Sequence, residues 1–343
     1  MTSLAAELKA RALDEGAELA GIAAPESPPE SSHYKAWLEA GRQGSMQYME
    51  RDAERRGDLR LWYPEARSVL LCAFSYASNE PEAPRPGLGR VARYARVADY
   101  HPELKRRLGN VLAWLKRRRS QADGRIFTDT SPILERLYAR YAGLGWIGKN
   151  TMLISPRLGS YTLLAGLALN LELPPDAPQA DHCGSCRRCL EACPTDAFPS
   201  ERVLDASRCI AYLTIERRGA IPEPLRPAVG DWAFGCDICQ EVCPWNRFAR
   251  PGPALGAPGE SALELEPLLA LDQAAFKARF QDSCLSRAKR QGLARNAALA
   301  LGNGGEARHR PALQRAAVDS DPIVAEQASW SLSRLEAVRS RGG

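Results

Sequence analysis

The residues most able to do chemistry are cysteines, and their spacing sets eight of the ten apart. Cys183-Gly184-Ser185-Cys186-Arg187-Arg188-Cys189-Leu190-Glu191-Ala192-Cys193-Pro194 reads C-x2-C-x2-C-x3-C-P. Three thiolates one short turn apart can wrap one face of a cuboidal 4Fe–4S cluster. The fourth, turned away by the proline, ligates the other cluster of a two-cluster module. A second, incomplete copy runs from Cys236 through Cys239 to Cys243-Pro244, with Ala233 where a full copy would begin on cysteine. Cys209, alone between the halves, is the natural replacement. Crossing the ligands gives one cluster on Cys183, Cys186, Cys189 and Cys243, and the other on Cys193, Cys209, Cys236 and Cys239. Two zinc sites would also use eight thiolates, but zinc sites come as separated C-x2-C pairs and explain the triple run poorly. Disulfides fit less well. Lys9, Arg11, Asp14 and Glu15 break any apolar run in residues 1–20, so no signal peptide is read and a reducing, cytoplasmic setting is expected.

A second group of reactive side chains lies upstream. Asp129 follows a strand-like Arg125–Thr128 and precedes a helix expected over 133–141, with Thr130 or Ser131 as its cap and Pro132 in the first turn. A carboxylate at a strand's end before a helix is a common place for an α/β site residue. Arg90 to His101 is dense in Arg, Tyr and His, and Gly143 to Asn150 offers three glycines, Lys149 and Asn150. The glycine stretch satisfies neither dinucleotide nor P-loop spacing and is by itself a weak anion-binding signal.

The elements that must position these groups follow from periodicity. A helix is expected over 3–16, capped by Thr2 or Ser3, then a short strand at 18–23 and helices at 34–40 and 46–55. Residues 68–76 form a continuous apolar run, hence a buried strand with Cys72 as a core thiol. A Pro/Gly-rich loop over 80–89 is followed by a helix over 102–119, with Leu104, Leu108, Val111, Leu112 and Leu115 on one face and a solvated Lys116–Arg119 end. Residues 151–155 and 160–169 look like paired strands. Proline-rich linkers at 174–181 and 251–259 bound the cysteine module. Beyond them the chain turns helical, and the stretch at 295–301 echoes that at 326–332. Short repeats of this kind suggest stacked helix pairs, with Asp319-Ser320-Asp321-Pro322 capping between two helices. Three units are expected: an α/β domain over 1–171, a ferredoxin-like two-cluster module over 172–250, and an all-α HEAT-like repeat over 260–343.

The bulk properties exclude little. The 343 residues suffice for two or three domains, and 45% hydrophobic and 25% charged content is ordinary for a globular protein. The longest apolar stretch, 161–171, is too short to span a bilayer and contains Asn170. Net charge of +5 permits a polyanionic partner without demanding one. Two four-iron clusters behind an α/β domain imply a reductase whose hard chemistry belongs to a further cofactor. No complete dinucleotide fingerprint is present. The D-x-H-x-x-G motif of one cobalamin class starts at Asp99 and His101 but has Leu104 in place of its glycine.

The sequence resembles the epoxyqueuosine reductases. The resemblance is carried by Arg93-Tyr94-Ala95-Arg96, Asp99-Tyr100-His101, Asp129 through Glu135-Arg136, Gly143 through Thr151 and Gly159-Ser160-Tyr161. The first cysteine run and Phe234 through Asn246 complete it. It implies an α/β domain that holds cobalamin without the usual histidine motif, akin to domains of reductive dehalogenases, and a module that delivers electrons to reach cob(I)alamin. It further implies reduction of the epoxide of epoxyqueuosine at the tRNA wobble position to queuosine, with Asp129 as proton donor, its pKa raised by burial against the corrin. Tyr100, His101 and Arg136 are expected to line the substrate side of the pocket, Lys149, Asn150, Ser160 and Tyr161 to hold the cofactor's amides or phosphate tail, and all of these with Asp129 to lie around the cofactor. The base must be splayed out to react. Lys289, Arg290 and Arg295 of the tail are expected on tRNA phosphates. An external low-potential electron donor of the flavodoxin or ferredoxin class, no membrane and a monomer complete the expectation. Cys284, outside both motifs, is read as incidental. A dehalogenase-like small-molecule reductase and a ferredoxin fused to a scaffold are the alternatives; the helical tail and the missing export signal disfavour the first, and the Asp, His, Tyr and Arg clusters disfavour the second.

Overall fold

A computed structural model describes residues 3–78, 85–253 and 255–341. Thr2 and residues 80–84 of the expected Pro/Gly loop lie outside the described residues. Nine strands are described: β1 (Leu19–Ala23), β2 (Ser68–Ser75), β3 (Leu88–Val91), β4 (Gly124–Thr128), β5 (Trp146–Ile147), β6 (Leu153–Ile154), β7 (Thr162–Leu169), β8 (Trp232–Phe234) and β9 (Ala262–Glu264).

The main sheet has the order β1-β2-β7-β4 and is antiparallel throughout. Every residue of β2 is buried, because both faces of the sheet are covered. Leu70, Cys72 and Phe74 face the helices Leu4–Asp14 and Tyr100–Arg118, which contribute Leu8, Leu104, Leu108, Val111 and Leu115. Val69, Leu71 and Ala73 face the other way, onto Leu59, Tyr138 and Ala139. Period-two alternation thus splits one apolar run between two cores. Cys72 is a core thiol, and burial pushes it up to about 12.

The second sheet, β8-β3-β9, takes one strand from each of the three expected units. β3 pairs in parallel with β8 and antiparallel with β9. Val91, Ala95, Phe234 and Leu263 then share a core with Leu293, Ala297 and Leu301 of the tail helix Lys289–Gly304. That helix is buried over the whole of residues 292–302, polar Arg295 and Asn296 included, as a helix wrapped by others must be. Its neighbour is the terminal helix Pro322–Arg341, so the two echoing stretches pack together. Ser331 donates to the Ala298 carbonyl at 2.8 Å, and a side chain at Gly302 would collide with Ser331.

Several local expectations need correction. The helix after Asp129 starts at Glu135, with Leu134 before it and no side-chain cap; Thr130, Ser131 and Pro132 belong to the preceding loop. The strands expected to pair over 151–155 and 160–169 separate: β6 pairs with β5, while β7 enters the main sheet, leaving only a bridge between Ser155 and Gly159. The helix expected over 46–55 breaks at Asp52. Caps are seen at Ser3, and at Asp321, whose carboxylate accepts from the Ile323 N–H. Among the described residues no helix is long and apolar enough to cross a membrane.

Candidate active site

The helix Tyr100–Arg118 is fixed by its apolar face, and its first turn is capped by Asp99, whose Oδ1 accepts from the His101 N–H at 3.0 Å. This places Tyr100 and His101 at the end of β4, beside Asp129. The Tyr100 hydroxyl donates to Asp129 Oδ2 at 2.6 Å. His101 Nε2 lies 2.7 Å from Asp129 Oδ1, and its Nδ1 lies 2.5 Å from Asp99 Oδ1. The Tyr100 and His101 rings stack at 4.3 Å. One imidazole is therefore held between two carboxylates.

The electrostatics reverse an expectation. Burial does push the Asp129 carboxyl up, but hydrogen bonding and positive charge from His101, with the Tyr100 hydroxyl, outweigh it, and the net direction is down. The converse holds at His101. Desolvation works to lower it, yet the bonds and charges of Asp129 and Asp99 raise it above the usual histidine value. Within the pair, the hydrogen bonds favour the proton on the histidine over the aspartate. Nearby, burial pushes Glu135 up to about 7, and the like charge of Asp129 adds to it. Cys284 is no distant bystander: burial, then the charges of Asp99 and Asp129, push its thiol up to about 12.

A cleft of about 1000 Å³ opens between the sheet and the cysteine module. Ala77, Ser78, Arg93 and Tyr161 line one side; Arg188, Glu191, Cys243, Asn246 and Arg247 line the other. Arg93 donates to the Tyr161 hydroxyl at 2.6 Å and lies 4.6 Å over its ring. The Ser78 hydroxyl oxygen is buried there with no hydrogen-bond partner among the described residues. From Tyr161 a line of rings runs through Tyr76 (5.7 Å) and Tyr94 (6.4 Å) to Tyr100 (6.3 Å), joining the cleft to Asp129.

Of the other residues expected around a cofactor, only Tyr161 lines this cleft. Ser160 donates to Gln240 at 2.9 Å, and its N–H to Asn246 at 2.6 Å. Asn150 donates to the Cys239 carbonyl at 3.4 Å. Lys149 is buried on Glu201 at 2.9 Å. These three fasten the cysteine module to the sheet. Arg136 is exposed and donates to the Thr151 carbonyl at 2.5 Å. Sequence reasoning did not single out Asp99, Glu135, Ser78, Gln240 or Asn246 as site residues; only Asp99, next to a paired Tyr-His, gave a usable signal.

The eight motif cysteines fall into two neighbourhoods. Cys189 feels the charges of Cys243, Cys183 and Cys186. Cys236 feels Cys209 and Cys239, and Cys209 feels Cys193. Cys239 faces Cys209 and Cys193, and also Cys189 across the gap between the groups. The short helices Arg188–Glu191 and Ile238–Glu241 carry the matching halves, each ending before a Cys-Pro pair. Two sulfurs accept N–H groups: Cys183 from the Trp146 indole and Cys193 from Ala197, both at 3.4 Å. No three His, Cys, Asp or Glu side chains among the described residues close on a single-ion site. Cysteine quartets with N–H···S bonds are the donor set of iron–sulfur clusters.

The basic tail residues require a correction. Arg295 is 1% exposed and donates to the carbonyls of Leu213, Arg217 and Gly219, so it is walled off from any phosphate. Burial lowers its pKa to about 9. Arg290 is paired with Asp319 and donates to the Leu271 carbonyl. Of the three, Lys289 is the exposed one.

A family model described as epoxyqueuosine reductase QueG, DUF1730, matches residues 56–130, and one described as a 4Fe-4S double cluster binding domain matches residues 182–246. The chain is 37% identical over 342 residues to the epoxyqueuosine reductase of Xanthomonas campestris, covering 97% of this chain and 96% of that one. It is 38% identical to that of Pseudomonas aeruginosa, covering 96% and 94%. A crystal structure of an epoxyqueuosine reductase with an epoxyqueuosine-modified tRNA-Tyr stem loop is similar with a TM-score of 0.87 at 31% identity, covering 96% of this chain and 89% of that one.

Proposed function

The chain belongs to the epoxyqueuosine reductase family, and on that premise we propose that it reduces the epoxide of epoxyqueuosine at the wobble position of tRNA to queuosine. The observation that carries this reading is near full-length likeness to enzymes of that name. Replacing an epoxide by an alkene consumes two electrons and two protons and releases water. Iron–sulfur clusters on the two cysteine quartets would carry the electrons singly.

Cobalamin is the cofactor the family resemblance implies, and the cleft fits it. Ala77 and Tyr161 give the cleft apolar lining, and the Ser78 hydroxyl, without a partner among the described residues, suits a side-chain amide. Ser78, Arg93, Tyr161 and Asn246 would hold it, with Cys243 of the first quartet in the wall. When bound, it supplies a low-valent metal able to break a strong carbon–oxygen bond.

The protein's own part is to manage protons. Negative charge grows on oxygen as the epoxide opens, and a positioned acid lowers that cost. Asp129 is the donor in this reading, with a modification to the expected route: its resting form is ionised, and the proton reaches it from His101 across 2.7 Å as charge builds nearby. Tyr100 fixes the carboxylate's other oxygen.

The deciding experiment is anaerobic. The chain is reconstituted with iron, sulfide and cobalamin, given a strong reductant, and incubated with tRNA carrying epoxyqueuosine. Loss of one oxygen from the modified nucleoside by mass spectrometry, only with cobalamin present, is the expected result. An unchanged nucleoside, with clusters intact and cobalt reduced, would overturn the assignment.

A further inference from the structure

We propose that Trp146 tunes the reduction potential of the cluster held by Cys183, Cys186, Cys189 and Cys243, through its indole N–H bond to the Cys183 sulfur. The inference rests on reading that quartet as cluster ligands.

Trp146 is 1% exposed, and an indole has one donor and no acceptor. A buried donor left unmade is costly, so its bond to Cys183 Sγ at 3.4 Å is built into the fold. The indole cannot readily turn away. Its backbone belongs to the β5–β6 ribbon, in register with Ile154, and a side chain at Gly145 would strike the Ile154 carbonyl. Two rings clamp it edge-on, His182 at 5.1 Å and Trp245 at 5.0 Å, from just before and just after the cysteine motifs.

Such a fixed donor has a definite electrical effect. Taking up one electron, from the 2+ to the 1+ cluster, adds negative charge to the thiolate sulfurs and breaks no bond. A donor aimed at one sulfur stabilises the reduced form more than the oxidised, so it raises the potential. Cys193, in the other quartet, accepts instead from the backbone of Ala197. Cys243 of the tuned quartet lines the cleft, so the setting made by Trp146 falls on the cluster beside it.

Trp146→Phe removes the donor and keeps an aromatic ring. In an anaerobic potentiometric titration followed by electron paramagnetic resonance, one cluster should fall in midpoint and the other stay in place. The expected size is about a tenfold drop in the reduced-to-oxidised ratio at fixed potential, about 59 mV for a one-electron couple. Trp245→Phe removes a clamp but not the donor and should leave both midpoints near the parent values. Unchanged midpoints in Trp146→Phe at full iron load, or an equal shift in Trp245→Phe, would overturn the proposal. Iron content in Cys183→Ala tests the underlying reading separately: a full load there would remove the quartet assignment itself.

Discussion

A carboxyl group that must give up a proton near neutrality is ordinarily helped by burial, and at Asp129 hydrogen bonding works against that help. The His101 imidazole, pinned by Asp99 on its far side, keeps the proton in the resting pair. Asp129→Asn preserves the shape but cannot relay the proton; single-turnover rates should fall by ~10²–10⁴-fold, and a rate within twofold of the parent would remove Asp129 from the chemistry. Asp99→Asn keeps the hydrogen-bond acceptor and removes the charge that helps raise His101. With a protonated His101 required, the rate declines as pH rises through the folded His101 pKa, which lies above the ordinary value of about 6.5. The variant should carry that decline to lower pH, as read from the pH–rate profile; an unmoved alkaline limb would mean another group sets it. Stability follows the same sign. The contribution of the His101 pair is fully present below the unfolded value and is lost as pH rises through the folded one.

At the level of elements, some pieces were legible in the sequence and others were not, for identifiable reasons. The helix from Tyr100 was readable because five leucine and valine positions recur on one face, and β2 because its apolar run has no polar interruption. The 4Fe-4S double cluster domain was readable because ligand spacing is a local constraint. The start of the helix after Asp129 was not, because Thr130-Ser131-Pro132 has the chemistry of a cap while the loop instead carries Asp129 to the histidine. Strand partners of 153–154 were not, since pairing is a tertiary choice. The burial of Arg295 was hidden too: a guanidinium reads as a surface charge unless waiting carbonyls can be foreseen. Its role is structural. Arg295→Met fills similar space but leaves the carbonyls of Leu213, Arg217 and Gly219 without that donor, and should cost at least ~3 kcal/mol in denaturant unfolding. The salt dependence of tRNA binding should stay as in the parent; a slope reduced by about one would return Arg295 to the phosphate contacts.

For the whole molecule, the second sheet is the feature that overrides a reading by segments. Linkers rich in proline mark where the chain is extended, yet β3, β8 and β9 bring residues from either side of those linkers into one hydrogen-bonded layer over the tail core. The cleft depends on the same stitching, because one wall comes from the main sheet and the other from the cysteine module. This arrangement has a consequence in time. β3 is made early, but the strands that flank it, β8 and β9, leave the ribosome only after most of the chain has been synthesised. At ~5–20 residues per second that interval is on the order of ten seconds or more, during which both edges of β3 are open to any passing strand. Nascent chains of this protein therefore have a vulnerable period that ends only when β9 emerges, and fragments cut before it keep that edge exposed for good.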